Sequence, residues 1–349
     1  MRLNLCLSGF GNIARHFIRY FSARREAVLA RYGLDLRLVT VVGSQGGLHD
    51  SAGLDTARLL ALPPGSSGLR QMSGLWSPAL ASAAGIAASS ADVLVEATPT
   101  DIWTGEPGLA HFRAALEKGM DIVTFTKGPL VKSFGEIKVL ARARGARIKV
   151  GGATAAALPT MDIGSYSLAG DELQAFEGVL NGTSNYVLSR MAADGLTCEE
   201  AIAEAVARGV AEPDPRLDVA GWDTASKTII LANCLFDAEI NLAGVPVQGI
   251  QEITLADIRA AEARGEAIKL IGKAQKTASG VQVAVRARSI PFAHPLAALS
   301  GTAKGIRFIS ATLGEIVVSG GKSDPLGTAA AGFKDIINLV RDKGLLPPV

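Results

Sequence analysis

Between residues 212 and 227 the chain reads E-P-D-P-R-L-D-V-A-G-W-D-T-A-S-K. Glu212, Asp214, Asp218 and Asp223 stand ahead of Lys227. Carboxylates hold an ammonium group and an amine moves a proton, so the cluster suits a small zwitterionic substrate. Pro213 and Pro215 keep the first part out of a helix. After Gly221 a helix is expected, and Asp223 and Lys227, four apart, share one of its faces. Ile230, Leu231 and Cys234 continue that stripe. The ordinary alternative is an exposed i,i+4 ion pair. The apolar continuation argues instead for a pair set where the stripe enters a core.

A second chemical feature lies near the N-terminus. Gly9-Phe10-Gly11-Asn12-Ile13-Ala14 is G-x-G-x-x-A between an apolar strand and a helix. The first glycine permits a tight turn, and the second lets backbone approach a pyrophosphate. Ala14 lets helix and strand pack closely, and the helix N-terminus offers N–H groups to the anion. With 39 glycines in the chain, the motif counts only because strand and helix flank it. The acid usual at the end of the second strand is missing: the chain reads Val42-Gly43-Ser44-Gln45. NADP is therefore allowed, and is expected slightly ahead of NAD. Arg58 and His49 are the nearest candidates to meet a 2′-phosphate, though each also reads as a plain surface residue. Thr98-Pro99-Thr100 and Lys127-Gly128-Pro129 follow further strands, at the ends where open α/β sheets bind ligands.

These groups need a frame. Strands are expected over residues 3–7, 36–42, 91–97, 121–125 and 147–150. Helices are expected over 13–31, 109–118 and 134–144. Such alternation predicts a Rossmann-type doubly wound parallel sheet. After residue 151 the texture becomes α+β. Strands are expected over 170–180, 250–253, 268–277, 281–288 and 312–318, and helices over 184–194, 198–208 and 221–234. Thr197 and Glu200 form a capping box for the second of these helices. A closing helix over 328–341 is expected to pack back on the first domain. The fold class is thus α/β, with a dinucleotide-binding domain over 1–135 and a dimerisation and catalytic α+β domain over 136–325.

Composition sets bounds. The 349 residues are 48% hydrophobic and 19% charged, with net charge +2. No basic run suggests nucleic acid. Cys6, Cys198 and Cys234 are scattered, which fits a reduced, cytoplasmic setting. The N-terminus goes straight into a strand-like run, so no leader is expected. Residues 79–97, Ala/Ser-rich and broken by Asp92, do not read as a membrane span.

With G-F-G-N-I-A, V-T-F-T-K-G-P-L, L-N-G-T-S-N-Y and E-P-D-P…G-W-D-T-A-S-K in that order, the chain resembles homoserine dehydrogenase over roughly residues 5 to 235. The Asn181-Gly182-Thr183-Ser184-Asn185-Tyr186 block and the acidic block carry the resemblance most specifically. It implies NAD(P)-dependent interconversion of L-homoserine and L-aspartate 4-semialdehyde, in threonine, methionine and isoleucine biosynthesis, by a homodimer or higher homo-oligomer. It implies that Lys227 is the acid/base lysine and Asp223 its helix partner. Glu212 and Asp218 resemble the residues that hold the homoserine amino and hydroxyl groups. Lys127 corresponds to a lysine that touches nicotinamide and substrate, and is the rival for proton transfer. Gly9, Phe10, Gly11, Asn12, Ile13 and Thr98 fall at the cofactor, Gly209 at a backbone contact near it, and Gly182 beside it.

Departures are visible. Members with a sodium site carry a glutamate where this chain has Gly151, so no metal is expected, although carbonyls of Thr154, Ala156 and Leu158 remain. The loop before the last helix reads Gly320-Gly321-Lys322-Ser323-Asp324-Pro325, and Lys127 follows Phe-Thr rather than Ala-Asn. After the closing helix no room is seen for a regulatory domain, so little inhibition by threonine is expected. The competing readings are another amino-acid or semialdehyde oxidoreductase, which shares only the nucleotide motif, and a non-catalytic NADP-binding sensor.

Overall fold

The computed structural model describes residues 1–321 and 324–344. The chain divides into two compact units, Met1–Ala156 with Asp324–Val349, and Ala157–Ser323. Lys322 and Ser323, in the loop before the last helix, lie outside the described residues.

The first unit is a mixed, mostly parallel sheet. Its strands are β1 (Arg2–Ser8), β2 (Asp35–Val42), β3 (Gly47–His49), β4 (Trp76–Ser77), β5 (Val93–Glu96), β6 (Asp121–Thr124) and β7 (Ile148–Lys149), in spatial order β4-β3-β2-β1-β5-β6-β7. From β2 to β7 the neighbours run parallel, while β3 and β4 add an antiparallel edge. The central strands are Leu/Val runs buried on both faces, which requires helices on both sides. Those helices are α1 (Asn12–Tyr32), α2 (Thr56–Ala61), α3 (Ser66–Leu69), α4 (Ser82–Ala88), α5 (Gly108–Glu117), α6 (Gly128–Lys132) and α7 (Phe134–Arg144). The punctuated stretch over 43–78 is therefore not all loop: it holds β3, α2, α3 and β4. Because β7 is a strand of this sheet, the unit runs to Ala156 rather than ending at residue 135.

The second unit begins with the short α8 (Thr160–Asp162) and carries a five-stranded antiparallel sheet. Its strands β8 (Leu173–Val179), β9 (Glu266–Thr277), β10 (Gly280–Pro291), β11 (Gly305–Ser310) and β12 (Glu315–Ser319) lie in the order β10-β9-β8-β11-β12. Its helices are α9 (Gly182–Asp194), α10 (Cys198–Ala207), α11 (Arg216–Val219), α12 (Trp222–Phe236) and α13 (Leu255–Ala263). The strand expected over 250–253 is absent. Ile250 is fully buried in a turn whose N–H donates to the Val219 carbonyl, and a Thr254–Asp257 capping box then starts α13. Thr312 lies in the turn before β12, and β11 went unread.

The chain closes with α14 (Pro325–Asp342), a helix of the first unit packed along α1. Phe333 meets Phe17, Tyr20 and Phe21 with ring centroids 5.4–6.5 Å apart. Burying each such ring is worth about 1.5–3 kcal/mol.

Candidate active site

In the first unit the turn after β1 leads straight into α1. Gly9 has φ +91°, and a Cβ there would stand 2.8 Å from the Ala97 carbonyl oxygen. Only glycine meets both conditions. Gly11 is exposed, with nothing within 4 Å of where its Cβ would be, so its backbone is open to a ligand. Ala14 is fully buried against the sheet. Asn12 is exposed and Ile13 half-buried in the first turn of α1. Phe10 differs: its ring belongs to the core, under the Arg15 guanidinium at 5.4 Å, and its carbonyl accepts from Gly65 N–H. Only its backbone is left for a ligand. Free N–H groups at the end of a 21-residue helix, beside a turn that tolerates close approach, fit a dinucleotide pyrophosphate.

The neighbouring strand ends are knit together. Thr126 Oγ1 donates to the Thr98 carbonyl at 2.7 Å, and the Lys127 N–H donates to Thr100 Oγ1 at 3.3 Å. Lys127 is half-buried at the N-cap of α6, behind Pro129 in the first turn. After β2 the Ser44 and Ser66 hydroxyls are 3.2 Å apart, and both are neutral. His49 is committed to Thr40 Oγ1 at 2.9 Å, and Arg58 is exposed on α2.

In the second unit four polar side chains converge. Lys227 Nζ lies 2.6 Å from Asp223 Oδ2 and donates to the Leu180 carbonyl at 2.9 Å. The Lys227 and Asp223 side chains are 15% and 14% exposed, so this is no solvated surface pair. Two of the three ammonium hydrogens are thereby used, and one remains. The Asn181 amide donates to Asp218 Oδ1 and to Asp223 Oδ2, at 2.7 Å each. Its own Oδ1 caps α9 by accepting the Ser184 N–H. Asn181 is therefore fixed by the helix it starts, and it fixes two carboxylates in turn. Asp218 is pushed up from the ordinary carboxylate value, first by burial and then by the Asp223 charge. Lys227 and hydrogen bonds from Asn181 and Thr183 work the other way. An ammonium ligand would relieve that burden.

Sequence reasoning found Lys227, Asp223 and Asp218 but missed Asn181 and Thr183. The available signal was the β8-to-α9 junction L-N-G-T, where an Asn before a helix reads as a cap. Gly182 is half-buried beside Asn181, and Gly209 is an exposed φ +68° residue next to Val210, whose carbonyl lies 3.5 Å from Thr183 Oγ1. Glu212 is exposed in the same loop and makes no hydrogen bond or ion pair with a described residue. Asn185, the other asparagine of the block, has a different use. Its amide nitrogen, with two hydrogens to give, lies 3.0–3.3 Å from the carbonyls of Leu299, Gly301 and Ala303. It also accepts from buried Lys269, pushed down to about 8 by burial.

A family model described as homoserine dehydrogenase matches residues 159–337. The chain is also 36% identical over 337 residues to the NAD(+)-dependent homoserine dehydrogenase of Pseudomonas canavaninivorans, covering 96% of this chain and 95% of that one. The chain belongs to the homoserine dehydrogenase family. It is thus an NAD(P)-dependent oxidoreductase acting on a CH–OH group. The homoserine dehydrogenase of Methanocaldococcus jannaschii is 30% identical, with 97% of this chain and 98% of that one aligned. A crystal structure of a putative homoserine dehydrogenase from Archaeoglobus fulgidus superposes with a TM-score of 0.84 at 28% identity, over 97% of this chain and 99% of that one.

Gly151, read above as the position of a glutamate in sodium-binding members, sits against α14. At Gly151 a Cβ would stand 2.8 Å from Asp335 Oδ2, so a glutamate there would have to displace the Asp335 carboxylate. Asp335, buried on α14, accepts the Gly151 N–H at 2.8 Å and lies 3.1 Å from Lys334 Nζ. The carboxylate near that loop is already satisfied by an N–H and an ammonium. No helix among the described residues is long and apolar enough to cross a membrane.

Proposed function

We propose that this enzyme interconverts L-homoserine and L-aspartate 4-semialdehyde, with Lys227 as its proton-transfer group. The observation that carries this is the half-buried Lys227 ammonium, held by Asp223 and the Leu180 carbonyl with one hydrogen to spare. In the reducing direction Lys227 gives a proton to the developing alkoxide, and in the oxidising direction it takes the hydroxyl proton. Bound NAD(P) would supply or accept the hydride at the carbon bearing that oxygen. Asp223 and the Leu180 carbonyl orient the amine. Asp218, turned by Asn181 and Thr183, holds the substrate ammonium, and Glu212 in the exposed loop is its second contact. Gly182 and Gly209 border the substrate side of the nucleotide. Lys127, at the end of β6, contacts the nicotinamide and stabilises the alkoxide.

The Gly9–Ile13 turn and Thr98 hold the nucleotide. The missing acid after β2 allows NADP, and the neutral Ser44 and Ser66 supply no charge for a 2′-phosphate. The enzyme accepts both nucleotides and leans to NADP by less than about tenfold, which is about 1.4 kcal/mol. A cytoplasmic homodimer is the proposed working form. Homoserine oxidation assayed with NAD and NADP separately tests all of this. No turnover with either sinks the reading, and a preference far above tenfold sinks the account of Ser44 and Ser66.

A further inference from the structure

A buried acid that the reaction does not use ends β5. Glu96 is fully buried, and His111 on α5 is 2% exposed. Glu96 Oε1 accepts the Thr98 N–H at 3.0 Å and also the Thr98 hydroxyl. Glu96 Oε2 lies 2.9 Å from His111 Nδ1, which is also 2.9 Å from Ser8 Oγ at the end of β1. The other ring nitrogen lies 2.8 Å from Ser82 Oγ. One carboxylate thus ties the ends of β1 and β5, the two strands at which the strand order reverses. Ligands of open α/β sheets bind at that point.

Burying a carboxylate is costly, so its partners matter. Glu96 Oε1 is the acceptor for both Thr98 donors, the N–H and the hydroxyl. The Thr98 hydroxyl must therefore donate inward, which leaves only lone pairs facing outward. Thr98 is half-exposed, and its own backbone is locked by Thr126 and packed on Gly9. We propose that Glu96 is a positioning residue that makes Thr98 Oγ1 an obligate hydrogen-bond acceptor for the carboxamide NH₂ of the nicotinamide ring. This rests on the dehydrogenase reading. It adds a means of selecting the carboxamide and its orientation.

The test compares binding of NAD and NADP with binding of their 3-acetylpyridine analogues, in which a methyl replaces the NH₂. Titration calorimetry on the full chain without substrate gives the ratio of dissociation constants. The wild type should prefer the carboxamide by roughly three- to tenfold, the worth of one such hydrogen bond. Glu96→Met should bring the ratio to about one, because the hydroxyl is then free to turn. Glu96→Gln, whose carbonyl can face Thr98, should restore it. A purely structural Glu96 would lower the melting temperature and weaken both ligands equally, leaving the ratio unchanged. That result, or a wild-type ratio of one, overturns the proposal. Should Glu96→Met not fold, Thr98→Ser must keep the ratio and Thr98→Val must lose it. A wild type that binds none of the four nucleotides overturns the dehydrogenase reading itself, and this inference with it.

Discussion

Under the proposed function, the Gly9–Ala14 turn and the Lys227 network are set the same problem, holding a charged ligand, and are built for it by opposite means. At Gly9–Ala14 the chain uses backbone N–H groups and the absence of side chains, all within six consecutive residues. At Lys227 it uses charged and amide side chains drawn from the start of α9, α11 and α12, with one main-chain carbonyl just after β8. The first depends on space and on one unusual φ. The second depends on a chain of hydrogen bonds in which each member orients the next. A turn of that kind fails when atoms are added, and a network fails when one link is removed.

Removing the amine should do most. Lys227→Ala is expected to lower kcat by about 100- to 10,000-fold, with nucleotide binding by calorimetry retained. Lys127→Ala belongs beside it: a larger loss of kcat there moves proton transfer to Lys127. A folded Lys227→Ala with near-wild-type kcat would falsify the mechanism.

Adding atoms at the turn comes next. Gly9→Ala must keep φ near +91° and push a methyl to within 2.8 Å of the Ala97 carbonyl. Backbone strain of that kind costs about 1–3 kcal/mol. The KM for the nucleotide should rise by roughly ten- to a hundredfold while the KM for homoserine changes little. If both rise together, the turn is structural rather than part of a nucleotide site.

The carboxylates sharpen the comparison further. Asp218→Asn should raise the homoserine KM by about tenfold or more, since hydrogen bonds to charged groups are worth about 1.5–3 kcal/mol. Glu212→Gln should raise it by only about two- to fivefold, because an exposed pair is worth under about 1 kcal/mol. Neither should alter the nucleotide KM to the same degree. The raised pKa of Asp218 also fixes a pH effect. As pH falls through that value the acid takes up a proton and loses its hold on the substrate ammonium. Homoserine affinity should therefore fall on the acid side, starting at a higher pH than for an ordinary aspartate, and Asp218→Asn should erase that limb. An acid limb that survives in Asp218→Asn belongs to another group.

The smallest effect concerns sodium. With Gly151 backed by Asp335 and Lys334, replacing sodium by tetramethylammonium should leave kcat within about twofold, well under 1 kcal/mol. Activity that vanishes without sodium and returns with it would show a cation site despite the paired carboxylate.

How far each region was legible follows from how local it is. Gly9, Gly11 and Ala14 announce themselves because strand, turn and helix are contiguous. Asp218, Asp223 and Lys227 were legible as charges in an apolar chain. Asn181 and Thr183 were not, because an amide and a hydroxyl mean little until a fold brings them to a carboxylate. Glu96 and His111 are 15 residues apart in sequence, with nothing local to pair them. Among the elements, β11 was unread although Ile306 and Phe308 alternate with Arg307, and the 250–253 stretch was misread because its apolar residues serve a turn. The short antiparallel edge, β3 and β4, has too few residues to show a period.

The closing helix carries a consequence for biosynthesis. Phe17, Tyr20 and Phe21 are made roughly 300 residues ahead of their partner Phe333. Until Phe333 emerges the flank of α1 lacks this cover, and a nascent chain halted at residue 156 would leave it open. The unit from Ala157 to Ser323 is one unbroken segment and is fully emitted before α14 exists. The second unit can therefore be complete before the first, which waits for α14 although its sheet strands are made ahead of it.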